Sequence, residues 1–430
     1  MSEFVPEGWK EGALSEFATI NPKLKSDVVL NDDVKVSFIK MEDVSNNAQI
    51  KNKRVRNYSE VSKGFTKFNN HDVLVAKITP CFENGKGGYA ENLVNGIGFG
   101  STEFHVLRAK TQSDSKYIYQ YTNYDSFRLA AEASMCGTGG QRRVQTDFIK
   151  TYRTAFPPLP EQKKIAAILT SVDDVIEKTQ AQINKLKDLK TGMMQELLTR
   201  GVGVDGKPHT EFKDSPVGRI PKAWDCVRLE FLLKSSKNSM RSGPFGSALL
   251  KHELVPSGHP YLGIDNVHIE RFENKFKRFV SDEKFEQLQR YAVQEDDVMI
   301  TIMGTVGRSC VVPKGVGKAL SSKHVWTMSF EQQKYIPALI CWQLNYSDWI
   351  KLQFKNESQG GVMESISSKT LKELWLPLPP ISEQNKINKV HKSLSESIRV
   401  KEGLLYKHKQ LKKALMQDLL TGKVRVKVDS

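Results

Sequence analysis

The chain has 430 residues, with 64 Lys and Arg against 49 Asp and Glu and a formal charge of +15. That length exceeds one ordinary core and predicts two to three domains. No run reaches the roughly 18 apolar residues of a membrane helix, and "MSEFVPEGWK" at the start lacks a basic end followed by an apolar stretch, so neither a membrane span nor a signal peptide is expected. The cysteines, Cys81, Cys136, Cys226, Cys310 and Cys341, are odd in number and form no CxxC pair. They read as reduced buried thiols in a cytoplasmic protein. The basic balance favours a polyanionic partner. It is steepest in 376–430, where 12 basic residues face 5 acidic ones.

In chain order, residues 1–155 alternate short β-rich runs with Gly, Asn and Ser turns and read as a first α/β globule. Residues 156–205 read as one long helix. Residues 206–375 read as a second globule, and 376–430 as a second long helix with a tail. Prolines sit at the helix starts (Pro160; Pro379 and Pro380), Ser382 is a candidate cap for the second, and Gly201 and Gly422 are candidate stops. The expected class is α+β.

The second half echoes the first. "FPPLPEQKKIAAIL" (156–169) resembles "LPLPPISEQNKINKV" (376–390), and "MMQELLTRG" (193–201) resembles "LMQDLLTG" (415–422). Within the globules "PEGWK" (6–10) matches "PKAWD" (221–225), and "HDVLVAKI" (71–78) matches "DDVMITIM" (296–303). "GSTEFHVLR" (100–108) echoes "LSSKHVWTM" (320–328), and "GTGGQRRVQTDFIK" (137–150) echoes "SQGGVMESISSKTLK" (358–372).

In the first helix Ile165, Val172, Leu186 and Met193 fall at heptad spacing beside a row of Leu169, Ile176 and Ile183. In the second, Ile387, Leu394 and Leu415 make one row and Ile398, Leu405 and Leu419 the other. Two such rows make a coiled-coil seam, flawed by Thr179, Lys401 and His408. Packed antiparallel, the helices would hold two similar globules apart with approximate two-fold symmetry inside one chain. Duplex DNA has a matching dyad, so paired but unlike modules predict an asymmetric site split by a fixed, unread gap.

These motifs, in this duplicated order over nearly the whole chain, resemble the specificity subunit of a type I restriction-modification enzyme. The resemblance implies that each globule is a target recognition domain reading one half-site of double-stranded DNA. It implies that the helices are an antiparallel spacer docking two modification (methyltransferase) subunits, with two restriction (endonuclease/translocase) subunits joining in some complexes. It further implies that this chain binds no cofactor and has no catalytic residue. S-adenosylmethionine would belong to the modification subunits, and ATP and Mg to the restriction subunits.

The residues agree with that implication. No Walker A loop exists, since "GIGFGST" (96–102) lacks the required lysine. No (N/D)PP(Y/F) signature exists, since "FPPL" (156–159) lacks both ends. The nine histidines show no metal-ligand spacing. A self-sufficient DNA-modifying or DNA-cleaving enzyme, and a coiled-coil adaptor without DNA binding, stay open as alternatives.

For DNA contact the sequence offers Lys51, Lys53, Arg54 and Arg56, a basic run suited to phosphates. Gln141, Arg142 and Arg143 follow flexible glycines, and Gln and Arg bind adenine and guanine in bidentate fashion. In the second globule Arg241, Ser242, Ser247 and Lys251 lie on a glycine-bearing loop, and Arg308 lies in "GTVGRS". Lys77 and Lys323 complete the set.

Overall fold

Short apolar runs between Gly and Asn turns make short strands in the computed structural model, which describes residues 5–25, 29–138, 140–203, 206–357 and 365–428. The first globule contains β1 (Lys10–Ala13), β2 (Ala18–Ile20), β3 (Lys35–Ile39), β4 (Arg54–Asn57), β5 (Thr66–Asn69), β6 (Val73–Ala76), β7 (Gly87–Tyr89), β8 (Ile97–Gly100), β9 (Phe104–Ala109) and β10 (Arg153–Phe156). They form sheets ordered β2-β9-β6-β7 and β4-β3-β8-β5, and a ribbon β1-β10. The pair β3–β8 is parallel.

The second globule contains β11 (Asp225–Arg228), β12 (Met240–Ser242), β13 (His259–Leu262), β14 (Phe279–Val280), β15 (Ala292–Val293), β16 (Val298–Thr301), β17 (Ser309–Val311), β18 (Ala319–Ser321), β19 (Val325–Met328) and β20 (Trp375–Leu378), with two minor hairpins besides. Its sheets run β12-β19-β16-β17 and β14-β13-β18-β15, with a ribbon β11-β20 and a parallel pair β13–β18. The order is the same, strand for strand. The internal repeat is therefore a repeat of topology.

The ladder corrects one alignment. Lys77 N–H donates to the Glu103 carbonyl, and Ile302 N–H to the His324 carbonyl. Glu103 thus corresponds to His324, one residue off the match read from "GSTEFHVLR" and "LSSKHVWTM". Short apolar runs tolerate such a slip in a sequence comparison, but a one-residue shift in a strand would exchange its two faces. Of the other echo, residues 358–364 and Gly139 lie outside the described residues.

The long helices span Leu159–Thr199 and Ile381–Leu420, 41 and 40 residues, or roughly 60 Å each at 1.5 Å per residue. Pro160 sits inside the first turn, where a missing N–H costs nothing. Ser382 is likewise inside its helix and exposed, so it is not the cap. The Pro380 carbonyl instead starts the helix by accepting the Glu383 and Gln384 N–H groups at 2.9 Å.

Compactness does not follow the boundaries at 155, 205 and 375. The chain divides into unit 1, Met1–Ala181 with Glu402–Ser430, and unit 2, Gln182–Lys401. Each unit is one globule with part of both helices. Within unit 1 Asp173 pairs with Lys412 at 2.7 Å and Glu161 with Arg425 at 2.7 Å. Within unit 2 Lys401 donates to Gln182 at 2.8 Å and Gly203 N–H to Glu383 at 2.9 Å. As one partner's number rises the other's falls, so the helices are antiparallel in both.

The seam is buried largely as patterned. Ile165, Leu169, Ile183, Ile387, Ile398, Leu405 and Leu419 are buried, while Val172, Ile176, Leu186, Leu394 and Leu415 are half-buried. Met193 is a correction: it is exposed, and Met194 is fully buried in its place. Met416 does the same beside Leu415 in the second helix. A straight helix of 3.6 residues per turn drifts off a strict heptad, and by the last turns the inward residue has moved on by one.

The repeated phrase is where helix meets globule. Met194 and Leu198 enter the core of unit 2 with Trp224, Trp342 and Tyr335. Met416, Leu419 and Leu420 enter the core of unit 1 with Trp9, Phe17 and Phe156. Gly422 (φ +70°) lies against Trp9, and Gly201 (φ +70°) against Trp224, where a β-carbon would fall 2.7 Å from the ring. Beside each tryptophan sits the first-turn glutamate. Trp224 Nε1–H donates to Glu383 at 2.8 Å and Trp9 Nε1–H to Glu161 at 3.3 Å. Burial alone would raise the Glu383 carboxyl, but the N–H groups of Gly203, Trp224 and Val202, with His209, hold it below the usual carboxylate range. Among the described residues no helix is long and apolar enough to cross a membrane.

Candidate nucleic-acid interface

The candidate residues of unit 1 come from three distant segments, and the sheet gathers some of them. Strand β6 ends at Ala76, and β9 begins at Phe104 beside it. At that end Lys77 bonds Glu103 through its N–H and accepts from Val144 N–H, both at 2.9 Å. Thr79 N–H donates to the Arg142 carbonyl at 2.9 Å. The loop carrying Gln141, Arg142 and Arg143 is thereby laid across the sheet end. Arg143 grips Glu103 with Nε and Nη2, each at 3.0 Å. That guanidinium holds the Glu103 carboxyl below its ordinary range. Arg142 reaches Glu83 at 3.5 Å, and Gln141 is exposed. The loop brings the Gln141 amide and the Arg142 and Arg143 guanidiniums, both engaged by glutamates, to the end of the sheet where Lys77 is held through its backbone; such groups are the types that read base edges and phosphates.

The basic run of the same globule is not gathered there as a free cluster. Arg54 binds Asp43 and Glu42, Arg56 pairs with Glu60 at 3.5 Å, and Lys53 donates to the Glu91 carbonyl at 2.7 Å. Lys51 pairs with Glu177 on the first long helix at 3.6 Å. Their charged heads serve local partners, as alternating acidic residues nearby in the fold dictate.

In unit 2 the corresponding end of β16 and β19 carries the loops 302–308 and 321–324. Lys323 is exposed, and neither it nor Arg308 has an ion pair among the described residues. Arg308 is held through its backbone, its N–H donating to Thr301 Oγ1 at 3.1 Å. Ser247 and Lys251 are exposed on short 3-10 turns leading from β12.

Arg241 is a correction. It is buried, and its guanidinium is spent on Asp297, on Ser329 Oγ at 2.9 Å and on the Ala292 and Asn238 carbonyls at 2.6 and 3.0 Å. It neutralises a buried carboxylate and is not offered to a ligand. Ser242 is buried too, donating to the Lys323 carbonyl at 3.3 Å. The polar, glycine-bearing sequence there resembled a loop but is the edge strand β12. In unit 1 the carboxylate equivalent to Asp297 is Asp72, neutralised by Arg108 at 2.6 and 2.7 Å. Sequence reasoning missed Glu103 as the partner that orders Arg143, and the exposed apolar residues Phe245, Ile264 and Met303 near Lys323. No signal in the sequence joins Glu103 to Arg143, 40 positions downstream.

The model of the type I restriction modification DNA specificity domain matches residues 6–188 and again 246–407. The chain belongs to this family. The specificity subunit of the type I restriction enzyme EcoAI of Escherichia coli is 34% identical over 254 residues, 59% of this chain and 41% of that one. The putative type I restriction enzyme MjaX specificity subunit of Methanocaldococcus jannaschii is 30% identical over 292 residues, 67% of this chain and 63% of that one. The chain thus spans less than two thirds of the length of either relative. The crystal structure of the type I restriction-modification system S subunit from M. genitalium has the same fold, with a TM-score of 0.56 at 15% identity over 98% of this chain and 97% of that one. The two family matches coincide with the two repeats, each running on from a globule into the long helix that follows it.

Proposed function

We propose that the chain is the DNA-recognition and scaffold subunit of a type I restriction-modification complex. Each unit reads one half of a bipartite, asymmetric site in double-stranded DNA in the cytoplasm. The long helices set the unread gap and seat two methyltransferase subunits, with two restriction subunits joining where the host encodes them. This chain performs no bond-making step in that reading. S-adenosylmethionine, ATP and Mg serve the partner subunits.

One observation carries the reading. Two sheets of identical strand order gather candidate contact residues at the same end, and the residues at those ends differ. Lys77, Gln141, Arg142 and Arg143 stand at one, and Arg308 and Lys323 at the other. A shared scaffold with unlike reading ends is what an asymmetric split site requires.

The test compares adenine methylation across the genome, by long-read sequencing, in the native host with and without this gene. Loss of methylation at one split, asymmetric motif is the expected result. A deletion strain with an unchanged methylome, in a host whose modification subunits are expressed, would overturn the reading.

A further inference from the structure

The reading end of unit 2 carries an apolar patch that polar recognition does not explain. Phe245, Met303 and Ile264 are 59%, 48% and 36% exposed. Scattered exposed apolar side chains are ordinary, but these belong to converging loops. A β-carbon on Gly304 would lie 3.8 Å from Ile264 Cδ1, so Ile264 adjoins the Met303–Gly304 turn. Ile302 N–H donates to the His324 carbonyl at 3.0 Å, which puts Lys323 and His324 beside the same turn. The bond from Ser242 to the Lys323 carbonyl, at 3.3 Å, brings in the strand that leads to Phe245. Arg278 completes a basic rim, ion-paired to Asp265 next to Ile264.

Among the described residues of the first unit, the matching positions carry no such patch. Lys40 N–H is capped by Asp43 as Gly263 N–H is by Asn266, so Met41 corresponds to Ile264. Met303 corresponds to Ile78. Both Met41 and Ile78 are half-buried, and Glu103, held by Arg143, stands where unit 2 has His324.

A basic rim selects a polyanion, and an apolar centre selects an apolar group carried by it. In the major groove of DNA that group is the thymine C5-methyl. We infer that the half-site read by unit 2 contains a thymine whose methyl group seats on Ile264 and Met303, whereas unit 1 reads its half-site through hydrogen bonds. This rests on the DNA-recognition reading above.

The test uses the intact complex of this chain with its modification subunits and a duplex carrying the methylated motif. Each thymine of both half-sites is replaced in turn by deoxyuridine, which removes only the methyl. The half-site of unit 1 is assigned as the one weakened by Arg143→Ala. Expected is a loss of about three- to fivefold in affinity, that of one buried methyl, at a single position of the other half-site. The double variant Ile264→Ala/Met303→Ala, checked for an unchanged melting temperature, should bind thymine and uracil duplexes equally. The single variant Met303→Ala should narrow the difference if the double variant fails to fold. Site-specific binding with no thymine–uracil difference anywhere in that half-site overturns the inference. So does a difference that survives in a folded variant, or a variant that keeps the difference but sheds its modification subunits, which would make the patch a protein-docking surface. Absence of any site-specific binding would instead remove the DNA-recognition reading.

Discussion

Lys190 Nζ donates to both carboxylate oxygens of Glu270 at 2.8 Å, and His391 Nε2 lies 2.7 Å from Oε1. One carboxylate at a hairpin tip of unit 2 therefore bonds residues of both long helices. Ala48 holds the same backbone twist at the matching hairpin of unit 1, φ +54° in each, and has no carboxylate to offer.

Burial opposes ionisation of Glu270, but the His391 hydrogen bond and the Lys190 ammonium outweigh it and hold the carboxyl down to about 2. Its folded pKa is depressed, so its contribution is present above the unfolded carboxylate value of about 4.3 and is lost as pH falls toward about 2. Glu270→Gln leaves Lys190 buried without its partner and should cost about 3 kcal/mol at neutral pH. Urea unfolding at pH 7, 4 and 3 checks this: the gap between wild type and variant should shrink as the pH drops.

Arg143 and Arg241 should separate binding from folding. Arg143→Ala removes a half-exposed ion pair and should leave the melting temperature within a few degrees while weakening DNA binding. Arg241→Ala strands the buried Asp297 carboxylate and should destabilise by about 3–5 kcal/mol. Thermal melts and salt-titrated DNA binding on the same preparations distinguish the two.

Gly201 and Gly422 should be costly to change. Alanine at either must adopt φ +70° and press on Glu383, His209 and Trp224 in one case and on Pro6 and Trp9 in the other. Each should lose at least about 1 kcal/mol, from the left-handed backbone alone. Equilibrium denaturation of both variants measures it.

His105 is buried between two partners that demand one neutral tautomer. Its Nε2–H donates to the Val144 carbonyl at 2.8 Å, and Nδ1 accepts from Asn21 Nδ2 at 3.4 Å. The Asn21 amide is itself oriented by accepting Val106 N–H at 3.0 Å. Burial lowers the imidazole pKa. The stability contributed is therefore complete above about pH 6.5 and declines below it, where the unfolded chain takes up the proton first. His105→Gln should flatten the stability profile between pH 7 and 5.5.

Lengthening both helices by seven residues, after Thr179 in the first and after Lys401 in the second, keeps the heptad phase. The added rise is about 10 Å, or roughly three base pairs at 3.4 Å each. The methylated motif should gain that many unread positions with both half-sites unchanged. Altered half-site bases would count against helices as the setter of the gap.

Much of this was legible because helices and repeats write themselves in period. The seam residues from Ile165 to Leu419 were readable from spacing, and only the drift at Met193 escaped, since a strict heptad is an idealisation of 3.6 residues per turn. The strands were readable as apolar runs, but their register was not, because pairing is decided by ladder bonds between distant segments. Arg241 was misjudged for the same reason. Its environment is made by Asp297 and Ser329, 56 and 88 positions away. Gln141 to Arg143 were singled out through their glycines, whereas Glu103, which fixes Arg143, sits 40 positions upstream.

The two buried aspartates carry a lesson for anyone splicing these repeats. Asp72 takes its counter-charge from β9, through Arg108, and Asp297 takes it from β12, through Arg241. A hybrid globule joining β2 of the first repeat to the remaining strands of the second would inherit no guanidinium for its aspartate. The reverse hybrid would inherit two. A crossover placed inside a globule must therefore move the aspartate and its arginine as a set.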